Sequence, residues 1–177
     1  EIDFTQEDLT TNSSASNSLK KQEGSYSDFY FNYGLKYDSR DVAFNPTKGN
    51  VVSFSQDLPI HATDNEIKNT FIFTKYKKFK NTSDMIGKAS IYLASVTSID
   101  GSDVRISKRA QVPSSRLRGF EKGKIGPVDN GDFIGGNYAS SLNFSTNLPA
   151  VLNTVESLDF SYFVDIANVW GIDYDSS

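Results

Sequence analysis

Arg118 is the side chain of this sequence best suited to a specific interaction. It lies in the segment 116–127, RLRGFEKGKIGP. A guanidinium is a planar fork that can hold a carboxylate through two parallel hydrogen bonds, so the chemistry on offer is ion pairing. Gly119 and Phe120 follow it, and the flexibility of glycine beside an aromatic ring suits a tight bend. Taken alone, such a residue is interpreted as an ordinary solvated loop arginine, so its partner has to come from the surrounding motif.

The segment belongs to a long stretch, residues 100–136, that separates two predicted strands. Loops of such length are uncommon in compact domains and are usually functional or disordered. This one carries residues that fix the backbone, because Leu117–Phe120 is followed by Ile125–Gly126–Pro127 and by Gly135–Gly136–Asn137. We interpret it as an ordered loop that folds back into a cavity.

Other candidate groups give weaker signals. No cysteine is present, which excludes disulfides, thiolate catalysis and cysteine metal sites. The single histidine, His61, falls in a predicted turn and is interpreted as a surface residue. Asp38, Arg40 and Asp41 lie at a predicted strand end before a turn and are interpreted as a solvated rim. Asp173 and Asp175 lie in a terminal acidic stretch.

We predict no metal site and no cofactor, and calcium binding by the terminal acidic residues is not favoured because they lack the spacing of an EF-hand. An enzyme is the class that the sequence supports least, since no nucleophile–base pair or metal cluster is evident. The formal net charge of -4 gives no electrostatic argument for binding nucleic acid.

Composition favours a β-protein with one apolar side. The 177 residues suffice for one domain, hydrophobic residues make up 37% and aromatic residues 13%. The mean hydropathy of -0.43 argues against helical membrane spans but not against a membrane barrel, in which half of each strand faces a polar interior. The chain begins at Glu1 without a signal peptide, so we expect a piece of a longer polypeptide.

Alternation with a period of two predicts strands along most of the chain. In residues 28–38, one face carries Phe29, Phe31, Tyr33, Leu35 and Tyr37, and the other face is polar except for Tyr30. The other predicted strands span 51–58, 66–79, 85–99, 137–148 and 158–170, and residues 2–9 are interpreted as the tail of another.

One strand has an interrupted apolar face, and the segments between strands are predicted as loops and turns. In residues 66–79, Lys75 and Lys77 interrupt the apolar face near one end, where an interface could receive them. Residues 10–27 are interpreted as a solvated loop. Turns are predicted at 45–49, 59–65, 81–84 and 149–157.

The order of long and short connections favours a transmembrane β-barrel. The long loop 100–136, the loop before Asp28 and the segment after Trp170 all fall on the same side of the predicted sheet. Barrels of the outer membrane have short turns on one side and long loops on the other. The alternative is a soluble β-sandwich, which also alternates, but these strands are long and their polar faces carry small residues.

Four elements resemble the C-terminal barrel of the bacterial surface antigen family of outer-membrane assembly factors (the BamA family). They are LRGF at 117–120, IGP at 125–127, DFIGGN at 132–137 and FVDIANVW at 163–170, and an earlier segment, FNYGLKYD at 31–38 with FNPTKG at 44–49, is also similar. The resemblance covers nearly the whole chain from about Ser25. It implies an all-β, antiparallel transmembrane barrel of sixteen strands, of which this chain, residues 1–177, would supply about six to seven.

The resemblance also implies site residues. In the family the long loop, here 100–136, is extracellular and inserts its tip into the lumen, where its Arg pairs with an Asp of a later strand. By resemblance these are Arg118 and Asp165, and the strand pattern independently places Asp165 on the polar face. At the position of a family Glu this chain has Asn143, so we expect a hydrogen bond there in place of a second ion pair. We also expect Phe120 to pack against the barrel wall.

The implied function is folding and insertion of outer-membrane proteins, without covalent chemistry. The implied partners are unfolded outer-membrane proteins, outer-membrane lipid and accessory assembly lipoproteins, and the implied location is the bacterial outer membrane. One alternative is a two-partner secretion pore of the same superfamily, which shares the loop motif. Another, from a different class, is a soluble adhesin or carbohydrate-binding sandwich. Six or so strands cannot close a barrel, so we expect this piece not to be stable alone.

Overall fold

The computed structural model describes residues 1–79, 85–148 and 160–173. These form an antiparallel meander in which each strand pairs with the next strand of the main sheet. In sheet order the strands are β1 (Ile2–Leu9), β2 (Gly24–Asp38), β3 (Lys48–His61), β4 (Glu66–Lys78), β5 (Ile86–Ser98), β8 (Tyr138–Asn147) and β9 (Ser161–Trp170). The residues between β5 and β8, 99–137, form the long loop, which contains the small hairpin β6 (Val128–Asp129) and β7 (Asp132–Phe133).

The sheet has an apolar outward face. Strand register places Leu35 of β2 opposite Phe54, Phe54 opposite Phe71, and Phe71 opposite Leu93. Directly paired residues share one side of a sheet, so an apolar row crosses four strands. Aromatic and aliphatic side chains of β2, β5, β8 and β9 on this side are exposed, and no second sheet covers them within the described residues. This exposure contradicts the β-sandwich alternative and agrees with an open section of a membrane barrel.

The inward face is polar and partly buried. It carries Asp28, Glu66, Ser90 and Ser141, all of which are buried. Tyr30, the exception in the alternation of β2, belongs on this face because its hydroxyl donates a 2.6 Å hydrogen bond to a carboxylate oxygen of Glu66. An aromatic ring is thus accommodated among polar groups because its polar tip has a partner.

The long loop supplies the core of this part of the molecule. Three small apolar residues of the loop, Val104, Ala110 and Val112, are buried against the inward face. They cluster with Tyr92, Ala94, Val96, Ala139 and Val169. The hydrophobic contacts that an ordinary domain makes between two layers are therefore made here between a strand layer and a loop.

One predicted strand was confirmed and one predicted loop was wrong. Residues 2–9 form β1, which pairs with β2 along its whole length. The predicted loop 10–27 contains a short helix, α1 (Asn17–Lys20), capped by Ser16, and β2 already begins at Gly24. Sequence periodicity missed these elements because Ser-rich and Asn-rich segments have no apolar alternation to detect.

The strand β3 was predicted too short. It runs from Lys48 to His61, so His61 ends a strand and does not lie in a turn, although it is exposed as expected. Pro59 falls inside it, at a point where the register with β2 shifts between Phe29 and Tyr30. An irregularity of this kind accommodates a residue that cannot donate to the ladder.

Some predictions concern residues that the structure does not describe. The turn at 81–84, the turn at 149–157, the start of the last strand at Leu158 and the acidic residue Asp175 all lie outside the described residues. In the described ranges, no helix has the length and apolar character needed to cross a bilayer.

Candidate functional site

The site predicted from Arg118 is a bidentate ion pair with Asp165 on the inward face. The Nε and Nη2 atoms of Arg118 each donate to a different oxygen of Asp165 at 2.7 Å, and the backbone N–H of Arg118 donates to the same carboxylate at 3.1 Å. Asp165 lies in β9 with its side chain 3% exposed, whereas that of Arg118 is 38% exposed. A single carboxylate thus holds both the side chain and the backbone of the loop.

Arg118 also stacks on an aromatic ring. Its guanidinium carbon lies 3.6 Å from the ring centroid of Phe163, two residues before Asp165 on the same face of β9. The hydrogen bonds that Arg118 donates to Asp165 raise the pKa of Arg118 above its ordinary value, which keeps the loop cation charged. The stacking also gives a reason for an apolar residue, Phe163, on the inward face.

Asn143 completes the pair from the neighbouring strand β8. Its side-chain N–H₂ donates to Asp165 at 2.9 Å and to the backbone carbonyl of Arg116 at 2.6 Å. The position thus carries a hydrogen bond and no second ion pair. Because an amide can donate to a carboxylate and a carbonyl at once, Asn143 links β9, β8 and the loop.

Arg116 makes a separate contact with β5. Its Nη1 donates to the hydroxyl of Ser90 at 3.1 Å, and its guanidinium lies 5.1 Å from the ring centroid of Tyr92. Burial lowers the pKa of Arg116, since desolvation disfavours the charged form. The short segment 116–118 therefore touches three strands of the sheet.

The other loop residues predicted from the motif fall into two groups. Leu117 and Ile125 pack against the apolar cluster on the inward face. Gly119 has a φ of +85°, a conformation that favours glycine, and a side chain added there would meet nothing within 4 Å. Phe120 is 60% exposed, so the expected packing against the barrel wall is not made with the strands described here.

The end of the loop fits closely onto the end of β9. A Cβ added at Gly126 would lie 2.8 Å from the side chain of Val169, and one at Gly136 would lie 2.4 Å from the carbonyl oxygen of Trp170. Gly135, with a φ of +70°, brings the chain beside the side chain of Arg109. Gly126 and Gly136 permit backbone approaches that any side chain would block, and at Gly135 the left-handed backbone is what favours glycine.

The remaining predicted loop residues make backbone hydrogen bonds. The carbonyl of Pro127 accepts the N–H of Ile134 at 3.1 Å. The N–H of Asn137 donates to the carbonyl of Gly171 at 2.8 Å, and its carbonyl accepts the N–H of Val96 at 2.8 Å. Asn137 thus connects the loop end to β5 and to the residues after β9.

A second anchor, which sequence reasoning missed, lies near the start of the loop. Arg105 forms an ion pair with Asp28 of β2, and both side chains are 1% exposed. The guanidinium also lies 4.0 Å from the ring centroid of Tyr26 and 3.7 Å from a carboxylate oxygen of Glu7 in β1. Lys108 contacts Asp28 at 3.2 Å.

A third anchor joins the loop to the residues after β9. The Nη2 atom of Arg109 donates to one oxygen of Asp173 at 2.9 Å, and the N–H of Val104 donates to the other at 2.8 Å. The side chain of Asn137 donates to that second oxygen at 3.1 Å. Asp173, which the sequence showed only as part of a terminal acidic stretch, is therefore a loop partner.

The sequence shows the charged residues of these missed anchors, but it does not show which residue pairs with which. The loop contains four arginines, at 105, 109, 116 and 118, and each reaches a partner on a strand or beside one. A strand carboxylate on a predicted inward face, such as Asp28, marked a place where a cation could bind. Nothing in the spacing indicated which cation would reach it.

Comparison with known proteins decides the family. The family model described as Omp85 superfamily domain matches residues 1–177. This chain belongs to the Omp85 superfamily.

A solved structure shares the fold of this Omp85 chain. It is the crystal structure of BamA from Haemophilus ducreyi lacking POTRA domains 1–3, with a TM-score of 0.73 and 23% sequence identity. The likeness covers 83% of this chain and 31% of that chain, so the chain spans less than a third of the protein that it resembles. At this identity the likeness shows the fold, an antiparallel sheet that matches part of a barrel.

Family membership also gives the setting of the Omp85 chain. It is a protein of the bacterial outer membrane, and the apolar outward face is the side that meets lipid. The superfamily comprises barrels that act in assembly and translocation of outer-membrane proteins without enzymatic chemistry. In the described residues no group of three or more acidic or histidine side chains could hold a metal ion. The ion pairs and hydrogen bonds described above are suited to holding the long loop against the inward face of the sheet.

Proposed function

We propose that this chain is part of an outer-membrane protein assembly barrel, and that its long loop braces the barrel wall from inside. Residues 1–177 form part of one barrel domain, and residues 100–136 are its extracellular loop folded into the lumen. The observation that carries the proposal is the triple contact of Arg118 with Asp165, supported from β8 by Asn143.

The loop can hold the shape of the wall because it reaches across the sheet. A single layer of strands that meets lipid outside and water inside has no second layer packed against it, so contacts between non-adjacent strands have to come from elsewhere. The loop adds contacts that cross several strands, from β2 at Asp28 to β9 at Asp165. Each anchor fixes the distance between the strands that it touches, so the loop stabilises one shape of the wall.

The clients and partners follow from the same proposal. Unfolded outer-membrane proteins are the proposed substrates, accessory assembly lipoproteins the proposed partners, and folding and insertion, without covalent catalysis, the proposed activity. A translocation pore of the same superfamily is the main competitor, and it would use the same brace. The two functions are distinguished by which proteins depend on this chain: many outer-membrane barrels for an assembly factor, or one secreted client for a translocation pore.

The test uses the full-length protein that contains this chain, in cells depleted of the wild-type copy. Asp165→Asn and Arg118→Lys are expected to reduce the levels of several unrelated outer-membrane barrels and to weaken heat-modifiable gel mobility of the protein itself. Arg118→Lys retains charge but loses the fork. The combined exchange Arg118→Asp with Asp165→Arg tests whether the pair itself is required.

A matched control is available at the end of the sheet opposite the long loop. Arg40 and Asp38 form an exposed ion pair with an Nη2–oxygen distance of 2.6 Å, and Asp38→Asn removes a carboxylate of the same kind outside the loop. Unchanged barrel levels in Asp165→Asn cells would contradict the brace. Loss of one secreted client with normal barrel levels would favour the translocation pore.

A further inference from the structure

The outward face has an unusual feature at the end of the sheet opposite the long loop. A depression of about 360 Å³ opens there between β4 and β9, lined almost entirely by apolar surface. Its floor is formed by the small residues Gly87 and Ala89 of β5, and its walls include Phe79, Phe144 and Val164. The ring of Phe79 lies over Gly87, where an added Cβ would come within 2.9 Å of it.

Cations border this groove. Lys75 and Lys77 line it, and by strand alternation they share the outward side with Phe71 and Phe73. Register places Lys48 of β3 directly opposite Lys77. Like charges directly opposite each other in a sheet destabilise the pairing, so this arrangement has a cost that a bound anion would relieve.

The described residues on this side of the sheet provide no counter-charge. Neither Lys75 nor Lys77 makes a hydrogen bond or ion pair with any described residue. Outward positions of β4, β5, β8 and β9 that register assigns to this side carry no aspartate or glutamate. A cation on a lipid-facing surface is costly unless it reaches the interface or an anion.

The position along the strand fits the membrane interface. Lys75 is three residues from the end of β4 at Lys78, about 10 Å at the rise of a strand. This end lies opposite the long loop, which the proposed orientation makes extracellular, so it faces the periplasm. The lysines are therefore at the level of phosphates in the periplasmic leaflet.

We propose that this groove binds an anionic phospholipid, with an acyl chain over Gly87 and Ala89 and the phosphate held by Lys75, Lys77 and Lys48. The site is independent of whether the barrel assembles or translocates proteins, but it rests on the proposed orientation of the sheet. An acyl chain matches the apolar lining, and a phosphodiester matches an unpartnered lysine cluster.

Native mass spectrometry of the full-length protein, with phosphatidylglycerol and phosphatidylethanolamine added in equal amounts, tests the site. The wild type is expected to retain phosphatidylglycerol preferentially. Lys75→Gln with Lys77→Gln should lower that retention by about tenfold or more, since each surface lysine contributes about a factor of five to attraction of anionic lipid. Ala89→Phe, which fills the groove, should lower it as well.

Two control variants separate the site from general effects. Lys21→Gln with Lys122→Gln removes two charges from loops at the other end, and Leu93→Phe adds bulk to the outward face outside the groove. Both should retain lipid as the wild type does. Equal retention of the two lipids by the wild type, or equal retention by the wild type and the lysine variant, would overturn the proposal.

Two other outcomes also decide it. Displacement of the lipid by inorganic phosphate, or insensitivity to Ala89→Phe, would show an anion site without an acyl chain and would overturn the lipid assignment. Heat-modifiable mobility of the same variants is expected to be normal, so a failure here would leave the loop brace untouched.

Discussion

The long loop is anchored near its start and near its middle by the same chemistry in different surroundings. At the start, Arg105 and Asp28 are both 1% exposed, whereas in the middle Arg118 is 38% exposed over a buried Asp165. The exposed cation lies in a segment that resembles a family motif, and the buried one does not. The difference teaches that the anchor easiest to find in the sequence is not the one most enclosed by protein.

Burial changes what each anchor contributes. A pair removed from water is strongly destabilised when one partner is lost, because the other charge stays buried without compensation. A pair whose cation remains in water loses less, since the solvent replaces part of the interaction. The start of the loop should therefore control folding stability, and the middle should control the position of the tip.

The largest effect is expected from Asp28→Asn. It removes the carboxylate that Arg105 and Lys108 share, leaving Arg105 only the longer contact with Glu7, and should lower the free energy of unfolding by about 3–5 kcal/mol. Urea titration of the full-length barrel, followed by heat-modifiable mobility, measures this. Asp38→Asn, at an exposed pair, is the control, and equal urea midpoints for the two variants would contradict the assignment of the buried anchor.

A smaller effect is expected from Asp165→Asn, about 1–2 kcal/mol, because Arg118 keeps access to water. The tip should be released, so trypsin should cut faster after the exposed Lys122 and Lys124. High salt should speed cleavage in the wild type more than in the variant, since about 1 M salt screens an exposed pair. Ser145→Ala on the inward face of β8 is the control, and identical cleavage of wild type and Asp165→Asn would rule out this anchor.

The smallest effect concerns Asp100, at the first residues of the loop. Hydrogen bonds from Ser102, then from the backbone of Asn65 and Ser102 and from Ser98, lower its pKa from 3.8. A lowered folded-state pKa means that the contribution is complete above 3.8 and is lost as the pH falls below it. The wild type should thus be slightly more stable than Asp100→Asn at pH 7, and the gap should close on acidification. A gap that stays constant down to pH 2 would contradict this.

Much of the wall could be predicted from sequence because alternation with a period of two survives wherever one face meets lipid. The apolar face of β2 and the inward position of Asp165 in β9 were assigned correctly on that basis. The segment 10–27 gave no such pattern, so α1 and the first residues of β2 were missed. Lys48 and His61 lie at strand ends, where polar residues conceal the pattern.

The site was only half predictable. Arg118, Asp165 and Asn143 came from a resemblance and from alternation, and the structure brings the three together. The contact of Arg105 with Asp28 joins residues far apart in sequence, and no local rule connects a loop cation to one carboxylate among several. Long-range pairing of this kind depends on the path of the loop across the sheet, which the periodicity of the strands does not contain.

The glycines of the loop lead to one practical consequence. At positions 126 and 136 the loop packs so closely on β9 that even a methyl group would collide, with Val169 at the first position and with the backbone of Trp170 at the second. Positions 119 and 131 face open space, so only their left-handed backbone limits substitution. A saturation library over this loop should therefore separate its glycines into two classes, those that tolerate no side chain and those that do. Reporter groups such as fluorophores or epitope tags should be placed beside the tolerant positions, 119 and 131.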